Sequence, residues 1–577
     1  MTNKELADTF TLIANLMQIK GEVIYKILAY RKAADSLMDL SRDAQAIWEE
    51  GGVKALTEIP GVGKALAEKI EELIQTSQLD FLNRLTTEVP VSLASLLEVP
   101  DLGPKKVKLF WEELDIQTID DLKQAAESGK LRGLAGMGPK SEAKILAGIE
   151  SLGRRSGRTP LGKAWPLADA LMQELRSVPG VEKVETAGSL RRWRETVGDI
   201  DILVASADPQ PVMAFFTGLD RVSRVLGQGD TKSSVEFSNG MRAQVWVHPP
   251  EKFGTALQYA TGSKDHNVKL REMALSKGLS LSEHALSPTD GGEEIFCADE
   301  EDVYQHLGLP WIPPELREDR GEVQAARDGD LPDLITGTQM VSQLHNHSTW
   351  SDGRASIREM AIAARSRGYK VLAITDHSYS LGIVSGMRPE DMAKQRVEID
   401  EVQAELGDTI RLLQGIELEI RADGTLDFED ELLAELDLVV ASLHVSLRQP
   451  RAQITERLLN AIRNPHVDII GHPTGRQIPD REAADLDMDQ IFGAAQASGV
   501  AMELNANPRR LDLKDTHVRR AIELGIPISI NTDAHAIDHL DLVEYGLATA
   551  RRGWAQADQV INAWSEAKLL AWLAARG

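Results

Sequence analysis

The sequence predicts a multidomain α+β chain: a helical head, a mixed α/β middle and a C-terminal βα barrel. Three observations carry that expectation. A glycine-centred phrase recurs three times within residues 1–150, "GDIDILVA" alternates two aspartates with apolar residues, and seven short apolar strands after residue 341 alternate with helical patterns. At 577 residues the chain exceeds what one hydrophobic core organises, so several domains are expected.

Composition narrows the function classes. The formal net charge of −25 argues against nonspecific attraction to nucleic acid, so any grip on DNA must come from local sites. One basic stretch exists, formed by Lys130, Arg132, Lys140, Lys144, Arg154, Arg155, Arg158 and Lys163. No apolar run reaches the roughly 18 residues of a membrane span. The opening "MTNKELADTFTLIANL" reads as an acid-bearing amphipathic helix rather than a signal peptide. The lone cysteine, Cys297, excludes a disulfide framework and a thiolate metal cluster. A cytoplasmic monomer is expected.

The head comes first. "LTEIPGVGKALAEKI" (56–70), "LLEVPDLGPKKVKLF" (96–110) and "LRGLAGMGPKSEAKI" (131–145) each place a tight glycine turn between a helix end and a helix opening at Lys or Pro-Lys. Such a turn offers backbone N–H groups at a helix N-terminus, which suits a phosphate oxygen. The phrases resemble helix-hairpin-helix motifs, which implies DNA-backbone contacts at Gly61, Gly63, Gly103, Lys105, Gly136, Gly138 and Lys140.

The middle carries the first chemistry. In "GSLRRWRETVGDIDILVA" (188–205), Asp199 and Asp201 face the same way and suit a pair of Mg²⁺ or Mn²⁺ ions for in-line phosphoryl chemistry. Gly188 and Ser189 form a small-residue turn suited to phosphate, with Arg191 or Arg192 behind it. The order G-S, R-R, E, D-x-D resembles the nucleotidyltransferase superfamily. "LQYATGSKDHNVKLR" (257–271) resembles the nucleotide-pocket segment of family X DNA polymerases, which implies sugar, base or template contacts for Tyr259, Thr261, Gly262, Asn267 and Arg271. Ala260 stands where that family usually has an aromatic. The first helices resemble the same family's lyase-type domain, which implies 5′-phosphate contacts for Lys26 and Tyr30 and a Schiff-base lysine at Lys69.

"GMRAQVWVHPP" (240–250) departs from the pattern. It alternates as a half-buried strand, with Gln244 and Trp246 where the family carries a third Asp and, two residues on, a basic side chain. An amide brings no charge and cannot act as a base. Nucleotide binding is therefore expected to persist while DNA synthesis is severely weakened. Glu236, on an adjacent segment, is a candidate replacement acid.

The last segments concentrate metal-binding side chains. "VSQLHNH", "KVLAITDH", "IRLLQGIELEI", "LDLVVASLH", "VDIIGH", "VAMELNAN" and "PISINTDAH" nearly all end in His, Asp, Glu or Asn, at the strand end where such barrels keep their chemistry. His345, His347, Asp352, His377, Glu417, His444, His472, Asp533 and His535 form one converging set of nitrogen and oxygen donors. That mixture suits Zn, Mn or Fe rather than Ca or Mg. The segments resemble the PHP (polymerase and histidinol phosphatase) family with every ligand position filled, which implies two or three Zn or Mn ions and phosphoesterase chemistry. Arg476 and Arg509 near the metal rim are candidate phosphate contacts.

The whole chain thus resembles bacterial family X polymerases with a PHP domain. That implies a lyase-like head (1–80), a helix-hairpin-helix domain (81–151), a palm (152–250), a thumb (251–315), a linker (316–340) and the PHP domain (341–577). It also implies gapped or 3′-ended DNA and dNTP as partners, in DNA repair. Two other readings are a small-molecule phosphatase with a vestigial first half and a noncatalytic DNA-end-binding scaffold.

Overall fold

The computed structural model describes residues 1–99, 102–152, 158–382 and 385–576. The chain divides into two units, 1–157 and 158–577. Arg154 and Arg155 of the basic stretch, and Pro100 and Asp101 of the second glycine phrase, lie outside the described residues.

The first unit is helical throughout its described length. Its opening helix, Asn3–Lys20, begins at a reciprocal Thr2–Glu5 capping box and ends at Gly21, whose φ of 92° closes the turn as a β-carbon would not easily allow. Leu6, Phe10, Ile13, Leu66, Ile70 and Phe110 meet in one core. The three glycine phrases lead into the helices Lys64–Thr76, Pro104–Leu114 and Pro139–Leu152.

The second unit contains a five-stranded sheet and a barrel. The sheet strands are β1 (Lys183–Thr186), β2 (Ile200–Ala205), β3 (Val222–Gln228), β4 (Lys232–Phe237) and β5 (Arg242–His248), in the order β1-β2-β5-β4-β3. β2 and β5 run parallel in a register that sets Asp201 beside Gln244. Because side chains alternate, Ala243, Val245 and Val247 are buried while Arg242, Gln244 and Trp246 stay partly open.

The barrel strands are β6 (Ser342–Gln343), β7 (Val371–Ile374), β8 (Arg411–Glu419), β9 (Leu438–Ser442), β10 (Ile469–Gly471), β11 (Ala501–Asn505) and β12 (Ile528–Asn531). They pair in chain order, all parallel. An isolated parallel bridge between Asn346 and Ala534 brings the two ends together, so the barrel is nearly closed. Strands such as Val371–Ile374 are buried at every residue, as a parallel sheet covered by helices requires.

The sheet domain and the barrel share a core. Leu511 and Tyr545 from the barrel side are buried among Leu161, Ala164, Leu171 and Val197. The stretch 316–340, expected as the interdomain linker, is packed. Arg317 is fully buried, the helix Glu322–Asp328 starts there, and Glu322 accepts from the backbone of Asp319 and Arg320. Arg317 and Arg191 both bind Glu300, which also accepts from the Trp311 indole. Removing one partner of such a buried network costs about 3–5 kcal/mol, because a buried charge is stranded.

Candidate active sites

Barrel strand ends place all nine donors of the sequence-derived set at one rim. His345 and His347 follow β6, and Glu417 lies within β8. Asp352 comes from the loop after His347, where Gly353 is required: a β-carbon there would lie 2.6 Å from the His347 carbonyl carbon. Gly471 is required for the same reason, since its β-carbon would collide with Ser442 Oγ and sit 3.5 Å from the His345 ring.

Among the described residues, three groups of side chains have donor atoms within 4.8 Å of one another: His347, Asp352, His377 and His535; His345, His347, Glu417 and Asp533; and His377, Glu417 and His444. His472 joins through Glu417, 2.9 Å from its Nε2. His472 and Asp533 hold φ at +26° and +53°, backbone conformations that side-chain-bearing residues adopt at a cost and that cluster at functional sites.

The donor set fits metal ions. Buried His345 Nε2, His347 Nδ1, His444 Nε2, both His472 nitrogens and both Glu417 oxygens make no aligned hydrogen bond, so the atoms suited to ligate an ion are the atoms left over. The opposite ring atoms are held. His345 Nδ1 is 2.7 Å from Glu503, and His444 Nδ1 is 2.7 Å from Glu419, each fixing a tautomer with the other nitrogen presented inward. Burial, then His535 and His377, lowers His347 to about 3, which keeps it in the neutral form a ligand needs. Burial opposes the charging of His444, but Glu417 and Glu419 outweigh it and raise that ring to about 9. A proton on that ring would compete with a metal ion.

Sequence reading passed over Glu503 and Glu419. The signal was present: Glu419 sits two residues beyond Glu417 on the same strand and so shares its face. The two arginines it named at the rim have other partners. Arg509 is largely exposed and pairs with Asp480, while Arg476 turns to backbone carbonyls and Glu195. The guanidinium beside the cluster belongs to Arg510, whose Nε is 3.7 Å from Asp533 Oδ2.

In the sheet domain Asp199 occupies the bend just before β2 and Asp201 its second position. Gly188, with φ +60°, packs so closely on Asp201 that a β-carbon would lie 2.6 Å from Oδ2. Gln244 donates from Nε2 to Asp199 Oδ2 at 2.8 Å. Glu236 is buried 3.8 Å from Arg242, opposite which it pairs across β4 and β5. Arg191 is committed to Glu300 and Thr261, while Arg192 donates to Glu318 and to the Thr261 carbonyl. A β-carbon on Gly262 would meet Arg192 Nη1 at 3.2 Å, so the Gly188–Ser189 turn, Arg192 and Gly262 are gathered together. Asn267 binds the Tyr259 carbonyl and Gln258, and the Arg271 guanidinium stands 6.0 Å from the Tyr259 ring.

Burial, then the charge of Asp199, pushes Asp201 up to about 7. The folded protein holds here a proton that the unfolded chain releases near pH ~4, so this group's contribution to stability falls as pH rises from about 4 to 7. Asp201→Asn is therefore expected to raise the metal-free melting temperature more at pH 8 than at pH 5. Scanning fluorimetry in chelator checks it, and equal shifts at both pH values would refute the raised value.

In the head unit, Gly61 and Gly136 adopt φ near +78° and +73°, and Gly63 and Gly103 precede their helices without a side-chain cap. Gly63, Gly103, Gly136 and Gly138 have open space where a β-carbon would sit, and Lys105 and Lys140 are exposed alongside. Uncapped N–H groups facing open space fit a phosphate. Lys26 is exposed beside Glu22. Tyr30 is a core residue, with its ring packed between Phe10 and Phe81, and Lys69 Nζ stands 5.4 Å from that Phe81 ring.

Comparison with known proteins matches these parts. Family models match for a helix-hairpin-helix domain (1–79), a SAM-like helix-hairpin-helix tandem (93–151), the DNA polymerase beta thumb (256–318) and the PHP domain (343–507). The chain is 41% identical over 567 residues to the DNA polymerase/3′-5′ exonuclease PolX of Bacillus subtilis, covering 98% of each chain. Rat DNA polymerase lambda is 26% identical over 345 residues, 55% of this chain and 56% of that one. A probable phosphatase of Thermoanaerobacter sp. (strain X514) is 29% identical over 239 residues, 40% of this chain and 89% of its own. With helix-hairpin-helix modules, a polymerase thumb and a metal-fitting barrel in one chain, this protein belongs to the PolX family of DNA polymerase/3′-5′ exonucleases that carry a C-terminal PHP domain.

Proposed function

We propose that this chain acts in DNA repair chiefly as a metal-dependent nuclease of 3′-ended and gapped DNA, joined to a polymerase half that holds dNTP but synthesises weakly. The observation that carries the nuclease reading is the buried rim where Glu417 and the surrounding histidines keep their ligating atoms free of other partners. Two or three Zn or Mn ions held by His345, His347, Asp352, His377, Glu417, His444, His472, Asp533 and His535 would activate water and stabilise the charge that develops on a phosphoester. The exposed glycine turns would grip the DNA backbone, and the His-carboxylate rim would cut.

In the palm, Asp199 and Asp201 would hold a Mg or Mn ion, with Gly188, Ser189, Arg192, Tyr259, Gly262, Asn267 and Arg271 around the nucleotide. Gln244 leaves that site one carboxylate short, and its amide also occupies an Asp199 oxygen. A phosphatase acting on small molecules would need neither the glycine turns nor the palm, which favours DNA as the substrate.

The test replaces His345 and His347 by Ala together. Degradation of a 3′-labelled gapped duplex is expected to be lost while its electrophoretic shift remains. Persisting degradation would remove the barrel rim as the nuclease centre, and loss of both would mean that binding and cutting are not separable.

A further inference from the structure

We propose that the loop 507–513 is shared machinery: Arg510 grips the scissile phosphate beside the metal-fitting cluster, and the palm domain fixes where that guanidinium stands. The proposal rests on the nuclease reading above. Arg510 is largely buried, its Nε lies 3.7 Å from Asp533 Oδ2, and its Nη1 is buried without a hydrogen-bond partner. A guanidinium fork with an unspent donor at a site built for cations has little reason to be there unless an anion joins it. A phosphodiester supplies paired oxygens of matching geometry.

The loop that presents Arg510 is held from its far side by the palm. Leu511 is fully buried in the palm core, with φ at +43°. Gly162, at the start of the palm helix Leu161–Arg176, lies so near Pro508 that a β-carbon there would stand 2.6 Å from Pro508 Cβ. Arg476 ties the two sides: it donates from Nε to the Arg510 carbonyl at 2.9 Å and from Nη2 to the Leu511 carbonyl, while that same Nη2 lies 2.8 Å from palm Glu195. Ile478, packed at the edge of the palm core, donates its N–H to the Arg509 carbonyl at 2.6 Å. Residues 508–511 therefore have one face in the nuclease rim and the other in the polymerase palm. The palm then contributes to DNA cleavage as a positioning element, whatever its capacity for synthesis.

The test uses the full, metal-loaded chain, with inorganic phosphate as the probe by isothermal titration, 3′-labelled gapped duplex as substrate, and metal content by mass spectrometry. Arg510→Gln is expected to weaken phosphate binding and raise KM about tenfold or more, by loss of a charge-assisted pair, at unchanged metal content. Arg510→Lys should recover part of the phosphate affinity. On the palm side, Gly162→Ala and Gly162→Leu should weaken phosphate binding in graded fashion, again without loss of metal. Unchanged phosphate affinity in Arg510→Gln overturns the grip, and unchanged affinity in both Gly162 variants overturns the palm's part in it. If phosphate affinity falls only in step with metal content, Arg510 merely supports the cluster and the proposal fails. Absence of DNA degradation by the parent would sink the nuclease reading alone, because the phosphate titration still reports on Arg510.

Discussion

Gln244→Asp is expected to raise nucleotide incorporation on a one-nucleotide gapped duplex by about 10²–10³-fold, the scale on which one transition-state-stabilising group acts. The assay belongs in a His345→Ala/His347→Ala background, so that extended primer is not degraded. The argument starts from register. β2 and β5 place residue 244 beside Asp201, and its side chain reaches Asp199 at 2.8 Å. A carboxylate at that position would turn a donor into a third acceptor, adding charge for a metal and a base for the primer hydroxyl. The same change crowds three acids together, so the variant should melt lower than the parent in chelator and gain more from Mg²⁺ or Mn²⁺. Vigorous extension by the parent with no gain from the substitution would show that another group completes the site.

Glu417→Gln should cost the barrel its metal and its nuclease activity together. Its carboxylate is the common member of two of the three donor groups, lying 3.3 Å from His345 Nε2, 2.8 Å from His377 Nδ1, 3.3 Å from His444 Nε2 and 2.9 Å from His472 Nε2. An amide can offer one oxygen but no charge, and its NH₂ would donate to the bare ring nitrogens and compete with a metal ion for them. Glu503→Gln is the graded comparison. It leaves every donor in place but replaces the charged carboxylate that orients His345 by a neutral amide with one acceptor oxygen, the kind of outer change that typically costs about 10–100-fold in metal affinity or activity. Metal content and cleavage rate should therefore fall modestly for Glu503→Gln and much further for Glu417→Gln. Equal, small effects would mean that Glu417 is not the centre of the cluster.

What the sequence determined by itself was whatever follows from local periodicity. Strand alternation put Asp199 with Asp201 and set Gln244 on the open face, and H-x-H put His345 with His347, because side-chain direction in a strand repeats every two residues. Glycine turns before Lys64 and Pro139 were legible for a similar reason, since only glycine readily tolerates the positive φ that Gly61 and Gly136 adopt. Parallel strands in chain order then made convergence of the strand-end donors almost obligatory, as every strand delivers its C-terminus to one rim.

Tertiary structure alone decided which partners those residues meet. Nothing in the spacing distinguishes Arg509 from Arg510, yet one faces solvent and Asp480 while the other faces Asp533, because Leu511 is drawn into a core built largely by residues between Leu161 and Val247. Periodicity likewise could not show that Arg192 is bound to Glu318, that Glu503 orients His345 across β11, or that the stretch after residue 315 is packed by the buried Arg317. Those choices depend on burial and charge pairing between distant segments, which exist only once the chain has closed on itself.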